Sequence, residues 1–512
     1  MISRVQTAIY EGIEGKKIWI EADISRGLPS FNIVGLAGAS IKESHERVKS
    51  AIINSGFEYP RGRLTINLLP AYINKRGSHM DLPIAISILA AEGLINEEKL
   101  NEHSILGELS LGGSVMPICG ALPMVYGISN ISTNKIIVPY KNIDEAMLTK
   151  KAEIIPVSSL RQCVDYLNGY ISDIDIRKSI PNVSYNRDKI NKDCVDFSEV
   201  NGQVKAKRAA CIAASGGHGM IMIGPPGCGK TMIARRIPTI MPDMDIGEII
   251  ETTMIYSVAG KLNESEQMID KRPFRMPYQR ITQAGLLGGG LIPRPGEISL
   301  AHNGILFLDE VCEFNRDILE KIRIPIEEHE VSLNRGGKTY RFPANVIPIA
   351  ASNPCPCGYL GDSKHKCKCT PLEIERYRKK LSGPILDRID LQIYMEKVKF
   401  KQIASKKDDS ISTKEMRNIV MEAKDFASIR NQRKDNASLD NDEILSICKL
   451  GREDLEFLNK AYDSFALSPR SVIKVLKVAR TIADIGKSRS VKTEHISEAL
   501  NYRVISDSYI KR

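Results

Sequence analysis

Residues 219–237 read GMIMIGPPGCGKTMIARRI: four apolar residues run into Gly224, Pro225, Pro226, Gly227, Cys228, Gly229, Lys230 and Thr231, and a helical pattern follows. No other stretch constrains the fold as strongly, because G-x-x-x-x-G-K-[ST] works only where a strand ends and a helix begins. Glycines let successive backbone N–H groups close around a phosphate, and the helix N-terminus adds the positive end of its dipole. Lys230 is then expected to reach the β/γ-oxygens and Thr231 to hold magnesium, so the chain should bind ATP with Mg2+.

A carboxylate site follows at residues 304–314, GILFLDEVCEF, where an apolar strand presents Asp309 and Glu310 at its C-terminal end. Open α/β sheets bind their ligands at that end. Asp309 is expected on the metal, and Glu310 is expected to polarise the attacking water as general base. A third strand, NVIPIAASN, ends in Asn353, placed to orient water at the γ-phosphate. Arg388, in LSGPILDRIDLQIYM, is either a surface ion-pair residue or, given its place after the third strand, an arginine finger acting on a neighbouring subunit.

Periodicity organises the remainder. Residues 1–170 mix apolar runs such as SFNIVGL and RLTINLLP with helical patterns, which predicts an α+β domain. Residues 171–200 are polar and weakly periodic and read as a linker. From 201 to 395 short β-rich runs alternate with helical segments, the pattern of a parallel α/β sheet. From 396 to 512 helices dominate and read as a lid, with Ser468 as N-cap and Pro469 in the first turn of one helix, and Thr493 capping the last.

The 72 basic and 62 acidic residues leave a formal charge of +10, which favours a polyanionic partner without requiring one. The first 25 residues lack the apolar run of a signal peptide, and no run of 18 apolar residues occurs, so a cytoplasmic protein without membrane contact is expected.

In this order, GPPGCGKT, ILFLDE, AASNPCPCGY, LSGPILDRID and LSPRSVIKVLKVARTIAD resemble the AAA+ ATPases of the magnesium-chelatase-like group, and within it the YifB/ComM branch. The likeness covers nearly the whole chain. It implies an α/β P-loop NTPase (AAA+) core with a C-terminal helical lid, preceded by an α+β Lon-protease-like domain, in a ring expected to be a hexamer with ATP between subunits. Asn353 takes the place of the sensor asparagine and Arg388 that of the finger. Arg470, in SPRS, takes that of the lid arginine sensing the γ-phosphate. Relatives usually read R-P-F-R-x-P-H-H before the glycine run, whereas this chain has Tyr278 and Gln279 at the paired histidines.

The same resemblance implies DNA as partner, since that branch is associated with ATP-driven branch migration during natural transformation. A DNA translocase or helicase acting on single-stranded or branched DNA is therefore expected. The alternative is a chelatase-like motor that remodels a protein partner, whose systems use D-x-S-x-S. Asp408, Ser410 and Ser412 match that string literally, but polar residues precede it, and Ser412 or Thr413 is expected to cap the next helix instead. A protease is the further rival: Ser78 lies about where the Lon-type fold has its nucleophile, yet Pro123 stands where its lysine would, and proline supplies no base. The N-terminal domain is read as non-catalytic.

Two basic segments are candidate DNA contacts. EVSLNRGGKTYRFPAN predicts a β-hairpin with Arg335 and Lys338 at its tip, and KRPFRMPYQR interleaves Arg272, Arg275 and Arg280 with Phe274 and Tyr278. Finally, four of the eleven cysteines, Cys355, Cys357, Cys367 and Cys369, fall within residues 355–369. Two thiolate pairs joined by a short loop suit tetrahedral zinc; reduced thiols without metal and a redox switch are the other readings. Bound zinc would fix a basic loop carrying Lys364, Lys366 and Lys368 beside the nucleotide site. His218 and His302 are assigned no role.

Overall fold

The computed structural model describes residues 2–130, 135–178, 195–263, 267–362, 365–381, 389–398, 411–430, 432, 434–465 and 467–503. Two sheets organise them. The first has seven strands in the order Ser30–Val34, Arg63–Leu69, Glu14–Ser25, Ile2–Glu11, His103–Ile105, Lys135–Pro139, Ile154–Val157. Its long hairpin pairs Ile2–Glu11 with Glu14–Ser25 in antiparallel register. Along the second strand Ile18, Ile20 and Ala22 are buried while Lys17, Trp19 and Glu21 are partly exposed, the period of two expected of a half-covered strand. The helix Asp81–Ala91 is buried along its whole length against this sheet.

The second sheet is wholly parallel, in the order Phe274–Arg275, Gly304–Leu308, Val346–Ser352, Met220–Ile223, Leu391–Tyr394. Parallel strands covered on both faces need continuous apolar sequence, as MIMI and GILFL provide. Met220, Met222, Ile305 and Phe307 join one core cluster, and Ile221, Ile223, Leu306 and Leu308 join the opposite one. Because Ile223 pairs with both Ser352 and Tyr394, the strand ends are level, and Gly224 and Asn353 leave the sheet side by side.

C-terminal to it lie the helices Thr413–Ser428, Asn441–Cys448, Arg452–Ser464, Pro469–Ile485 and Thr493–Asn501. Ser412 is the N-cap of the first, in a capping box with Glu415, which gives the serine of the D-x-S-x-S string an ordinary structural role; Asp408 and Ser410 lie outside the described residues. Ser468 caps Pro469–Ile485 with Pro469 in the first turn, as expected. The expectation for Thr493 is corrected: Lys492 is the N-cap, and the Thr493 hydroxyl donates instead to Asp454 at 2.9 Å. Within residues 171–200, read as a linker, Asp173–Lys178 is helical and Phe197 is buried in the core of the parallel sheet, while residues 179–194 lie outside the described residues.

A buried polar network ties these helices to the sheet. His218 lies 2.9 Å from the Asp390 carboxylate through Nδ1 and 2.7 Å from the Thr481 hydroxyl through Nε2, and Lys474 reaches Asp390 at 2.9 Å. Burial opposes ionisation of Asp390, but Lys474 and His218 outweigh it and hold the carboxyl far below the usual range. His302 is likewise structural, bridging Glu251 at 2.9 Å and the Asn345 amide at 3.0 Å.

Candidate nucleotide site

The strand Met220–Ile223 is fully buried, and the loop after it turns at Gly227 (φ 76°) and Gly229 (φ 95°), both in the left-handed region. Nothing lies within 4 Å of where a Cβ would stand on either, so the backbone conformation, and the room left above the loop, are what glycine supplies. Gly224 is different: a Cβ there would lie 2.4 Å from the Met395 carbonyl oxygen. Pro225 and Cys228 are buried under the loop, while Pro226 and Gly227 form its exposed crest. Gly229 caps the helix Lys230–Ile240 without any side-chain hydrogen bond, leaving the first-turn N–H groups for an anion.

Lys230 donates to the carbonyls of Gly224 at 2.6 Å and Pro225 at 3.1 Å and to Asn353 Oδ1 at 3.2 Å. Burial pushes its ammonium below the usual range, partly offset by Cys228, Asp309 and Glu310. The structure therefore brings the predicted lysine and sensor asparagine into direct contact.

Thr231 donates to Asp309 Oδ2 at 3.1 Å. Two ligands in adjacent positions of an octahedral Mg2+ with bonds of about 2.1 Å are about 3 Å apart, so this hydroxyl and carboxylate fit the ion as they stand. Glu310 has φ 48°, uncommon for a residue with a side chain, and such strain concentrates at functional sites. Its Oε2 accepts a hydrogen bond from the Gln279 amide at 2.6 Å. Sequence reasoning singles out position 279 only as a departure from the usual histidine; what it misses is that the substitute grips the expected general base.

Arg388 lies outside the described residues. Arg470 is exposed and reaches Glu327 at 3.3 Å, on the helix Arg323–Glu328 that follows the Asp309–Glu310 strand. It is thus held by a carboxylate rather than by the phosphate loop.

The four cysteines converge directly beyond Asn353. Cys355 and Cys357 sulfurs are 3.4 Å apart, Cys355 and Cys367 3.7 Å, and Cys357 and Cys367 3.6 Å, with Cys369 within 4.8 Å of the others. Tetrahedral zinc with Zn–S bonds of about 2.3 Å requires sulfurs about 3.8 Å apart. The donor set fits that ion, and the separations are far from the ~2.05 Å of a disulfide. Backbone N–H groups of Tyr359 and Lys368 draw the Cys357 thiol down, while burial pushes its neighbours Cys355 and Cys369 up, so the case for a metal rests on the sulfur geometry. This loop rests on the phosphate loop: a Cβ on Gly358 (φ 80°) would lie 2.8 Å from the Pro226 ring. Lys366 and Lys368 are exposed on it, whereas Lys364 lies outside the described residues.

The basic segments divide. Arg272 is tied to Glu248 at 3.0 Å and to the Pro242 carbonyl at 2.6 Å, and Arg275 to Glu297 at 2.6 Å. Phe274 stacks on Phe307 with ring centres 5.8 Å apart. These three are internal supports, which corrects their reading as nucleic-acid contacts; Tyr278, 88% exposed, and Arg280 face solvent. The predicted hairpin is present as Glu330–Arg335 paired with Lys338–Pro343 around Gly336 (φ 56°) and Gly337 (φ 72°), the two positive φ values a two-residue turn demands. Near the N-terminal sheet, the Ser78 hydroxyl donates to Glu108, a neighbour that no local pattern announces. Pro123 lies in the helix Ala121–Ser129 with its carbonyl against Gly15. Among the described residues no helix is long and apolar enough to cross a membrane.

Three family models match in succession: subunit ChlI of Mg-chelatase over residues 20–142, magnesium chelatase subunit ChlI over 196–403, and the magnesium chelatase subunit ChlI C-terminal region over 410–503. The chain is 39% identical over 504 residues to the uncharacterized protein YifB of Escherichia coli, covering 98% of this chain and 97% of that protein. It is 37% identical over 499 residues to the competence protein ComM of Haemophilus influenzae, covering 96% of each. Similarity to Lon protease 2 of Bacillus subtilis is partial, 30% over 149 residues, 27% of this chain and 26% of that one.

Proposed function

Because the chain belongs to the YifB/ComM family of magnesium-chelatase-like AAA+ proteins, we propose that it hydrolyses ATP to drive movement on single-stranded or branched DNA, as a ring expected to be hexameric. The observation that carries the ATPase part is the convergence of Lys230, Thr231, Asp309, Glu310 and Asn353 on one rim of the parallel sheet. Bound Mg2+ would neutralise charge on the β- and γ-phosphates.

The loop amides and the open helix terminus bind the phosphates, and Lys230 exchanges its carbonyl acceptors for phosphate oxygens. Thr231 and Asp309 hold the ion. Glu310, once clear of Gln279, takes the proton of the attacking water, and Asn353 orients that water. Arg388 would complete the site of a neighbouring subunit and Arg470 would read the γ-phosphate from the lid, so a lone subunit would hydrolyse ATP slowly. We assign zinc to Cys355, Cys357, Cys367 and Cys369, and a non-catalytic role, with Lon-type fold, to the domain of residues 1–170. Elemental analysis of tag-free protein should give one zinc per chain.

DNA is favoured by the net charge of +10 and by the exposed Arg335, Tyr278 and Arg280; the Haemophilus relative is named a competence protein. The deciding experiment is steady-state ATP hydrolysis with and without forked, four-way and single-stranded DNA, beside Glu310→Gln. Stimulation that fades as salt rises supports the reading, since phosphate contacts are steeply salt-dependent. A flat response with Glu310-dependent activity intact removes the DNA part and leaves a motor for a protein partner.

A further inference from the structure

The tip of the hairpin Glu330–Pro343 is not free. Lys338 donates to the carboxylate of Glu11, at the end of the first strand of the N-terminal sheet, and Lys16 donates to the same carboxylate from across that strand's turn. Burial pushes the Glu11 carboxyl up, but the two ammoniums outweigh it and hold it below the usual range. The turn between them is shaped for the contact. Gly12 has φ 65°, and a Cβ there would lie 2.7 Å from the Arg341 carbonyl oxygen, so only glycine lets the two hairpins approach this closely. Tyr10 and Ile13, flanking the turn, pack into the same cluster as Leu333 and Tyr340 of the hairpin.

The surroundings are mainly cationic. Arg76 reaches across to the Leu291 carbonyl at 3.2 Å, Arg335 is exposed at the hairpin tip, and Arg341 is exposed and pairs with Glu330 only at 3.7 Å. Basic residues of the N-terminal region and of the hairpin thus lie around the contact, and between Lys16 and Lys338 sits a single carboxylate with two oxygens, the local chemistry of a phosphodiester.

We propose that this two-part surface seats a DNA backbone and that Glu11 occupies the position of one phosphate until DNA displaces it, freeing Lys338 and undocking the two hairpins. The inference rests on the DNA reading above and adds to it the route by which the N-terminal sheet restrains DNA binding. Simple docking by an ion pair would predict that loss of Glu11 weakens the molecule. An internal phosphate mimic predicts that it strengthens DNA binding.

The test is fluorescence anisotropy of labelled single-stranded DNA with the full-length wild type, Glu11→Gln, Lys338→Gln and the double variant, from low to moderate salt. Glu11→Gln should bind five- to tenfold more tightly at low salt, with the advantage shrinking as rising salt screens the Glu11–Lys338 pair that DNA must break in the wild type. Lys338→Gln should abolish that tightening in the double variant, and DNA-free ATP hydrolysis should be unchanged in Glu11→Gln. Equal affinity and slope in wild type and Glu11→Gln overturn the inference while the DNA reading stands; absence of DNA binding by both, at every salt, removes both. Should Glu11→Gln fold poorly, hydrogen exchange on the wild type decides: DNA should speed exchange in residues 11–16 and slow it in 335–341, and unchanged exchange in 11–16 counts against displacement.

Discussion

Lys75 and Lys230 are both buried, and both donate to backbone carbonyls, yet one is a fixed strut and the other the centre of the candidate nucleotide site. Lys75 is 0% exposed; its ammonium donates to Gly35 O at 3.0 Å, to Leu68 O at 2.9 Å and to Pro70 O. Leu68 lies in the strand Arg63–Leu69, Pro70 directly follows that strand, and Gly35 directly follows its neighbour Ser30–Val34, so the acceptors are held in place by the strand pairing. Lys230 is 8% exposed, and two of its acceptors lie on the phosphate loop, whose crest at Pro226 and Gly227 faces solvent. Neutral carbonyls there can give way to charged oxygens, which form stronger hydrogen bonds. Burial alone therefore does not make a lysine functional; what matters is whether its acceptors can be exchanged.

The largest expected effect separates the two most sharply. Lys230→Ala should lower ATP hydrolysis by about three orders of magnitude or more, in the range attached to a group that stabilises phosphoryl-transfer charge, with the urea midpoint nearly unchanged. Glu310→Gln should lower it by two to four orders, as for loss of a general base, with ATP still bound. Lys75→Met should do the reverse: about 3 kcal/mol of stability lost, because three enclosed carbonyls lose their donor, with turnover per folded molecule unaltered. A Lys75→Met protein as stable as the wild type would break the comparison.

Much of the nucleotide site is legible because its chemistry is local in sequence. Gly224 to Thr231 are contiguous, Asp309 and Glu310 end one apolar run, and Asn353 ends another, so strand-end rules place all three on one rim. The level strand ends that make Lys230 touch Asn353 follow from register, and apolar runs do not encode register. Lys75 is not legible as a strut, since its acceptors are 5, 7 and 40 residues away. For the same reason KRPFRMPYQR misleads in part: the partners of Arg272 and Arg275, Glu248 and Glu297, lie 24 and 22 residues off, and composition cannot tell a paired arginine from a free one. The capping of Thr413–Ser428 by Ser412, by contrast, depends on Glu415 three residues on, and is readable.

A further prediction sharpens the comparison by loosening the loop that Lys230 depends on. Stripping metal from the cysteine cluster, or replacing Cys367 by Ser, should lower ATP hydrolysis three- to tenfold, because the loop through Gly358 braces Pro226 and Asn353 holds Lys230. Zinc readdition should restore the stripped wild type and not the variant. Proteolytic resistance of the N-terminal sheet, beside which Lys75 lies, should be unaffected by either treatment.

The smallest effect concerns Gln279, which stands to Glu310 as the loop carbonyls stand to Lys230: a partner that satisfies a buried or strained polar group until substrate arrives. Its amide donates to Glu310 Oε2 at 2.6 Å, and that hydrogen bond fixes the direction in which the carboxylate points. If that contact holds the base in reserve, Gln279→Leu should raise DNA-free ATP hydrolysis two- to fivefold and shrink any stimulation by DNA by the same factor, leaving ATP affinity unchanged. Under the DNA reading proposed above, the link would be short: Tyr278 and Arg280, both exposed, flank Gln279, so a strand held against them would act on the residue that grips Glu310. A fall in basal hydrolysis in Gln279→Leu would instead mean that the amide positions Glu310 for water, and the analogy with the displaceable partners of Lys230 would end at the phosphate loop.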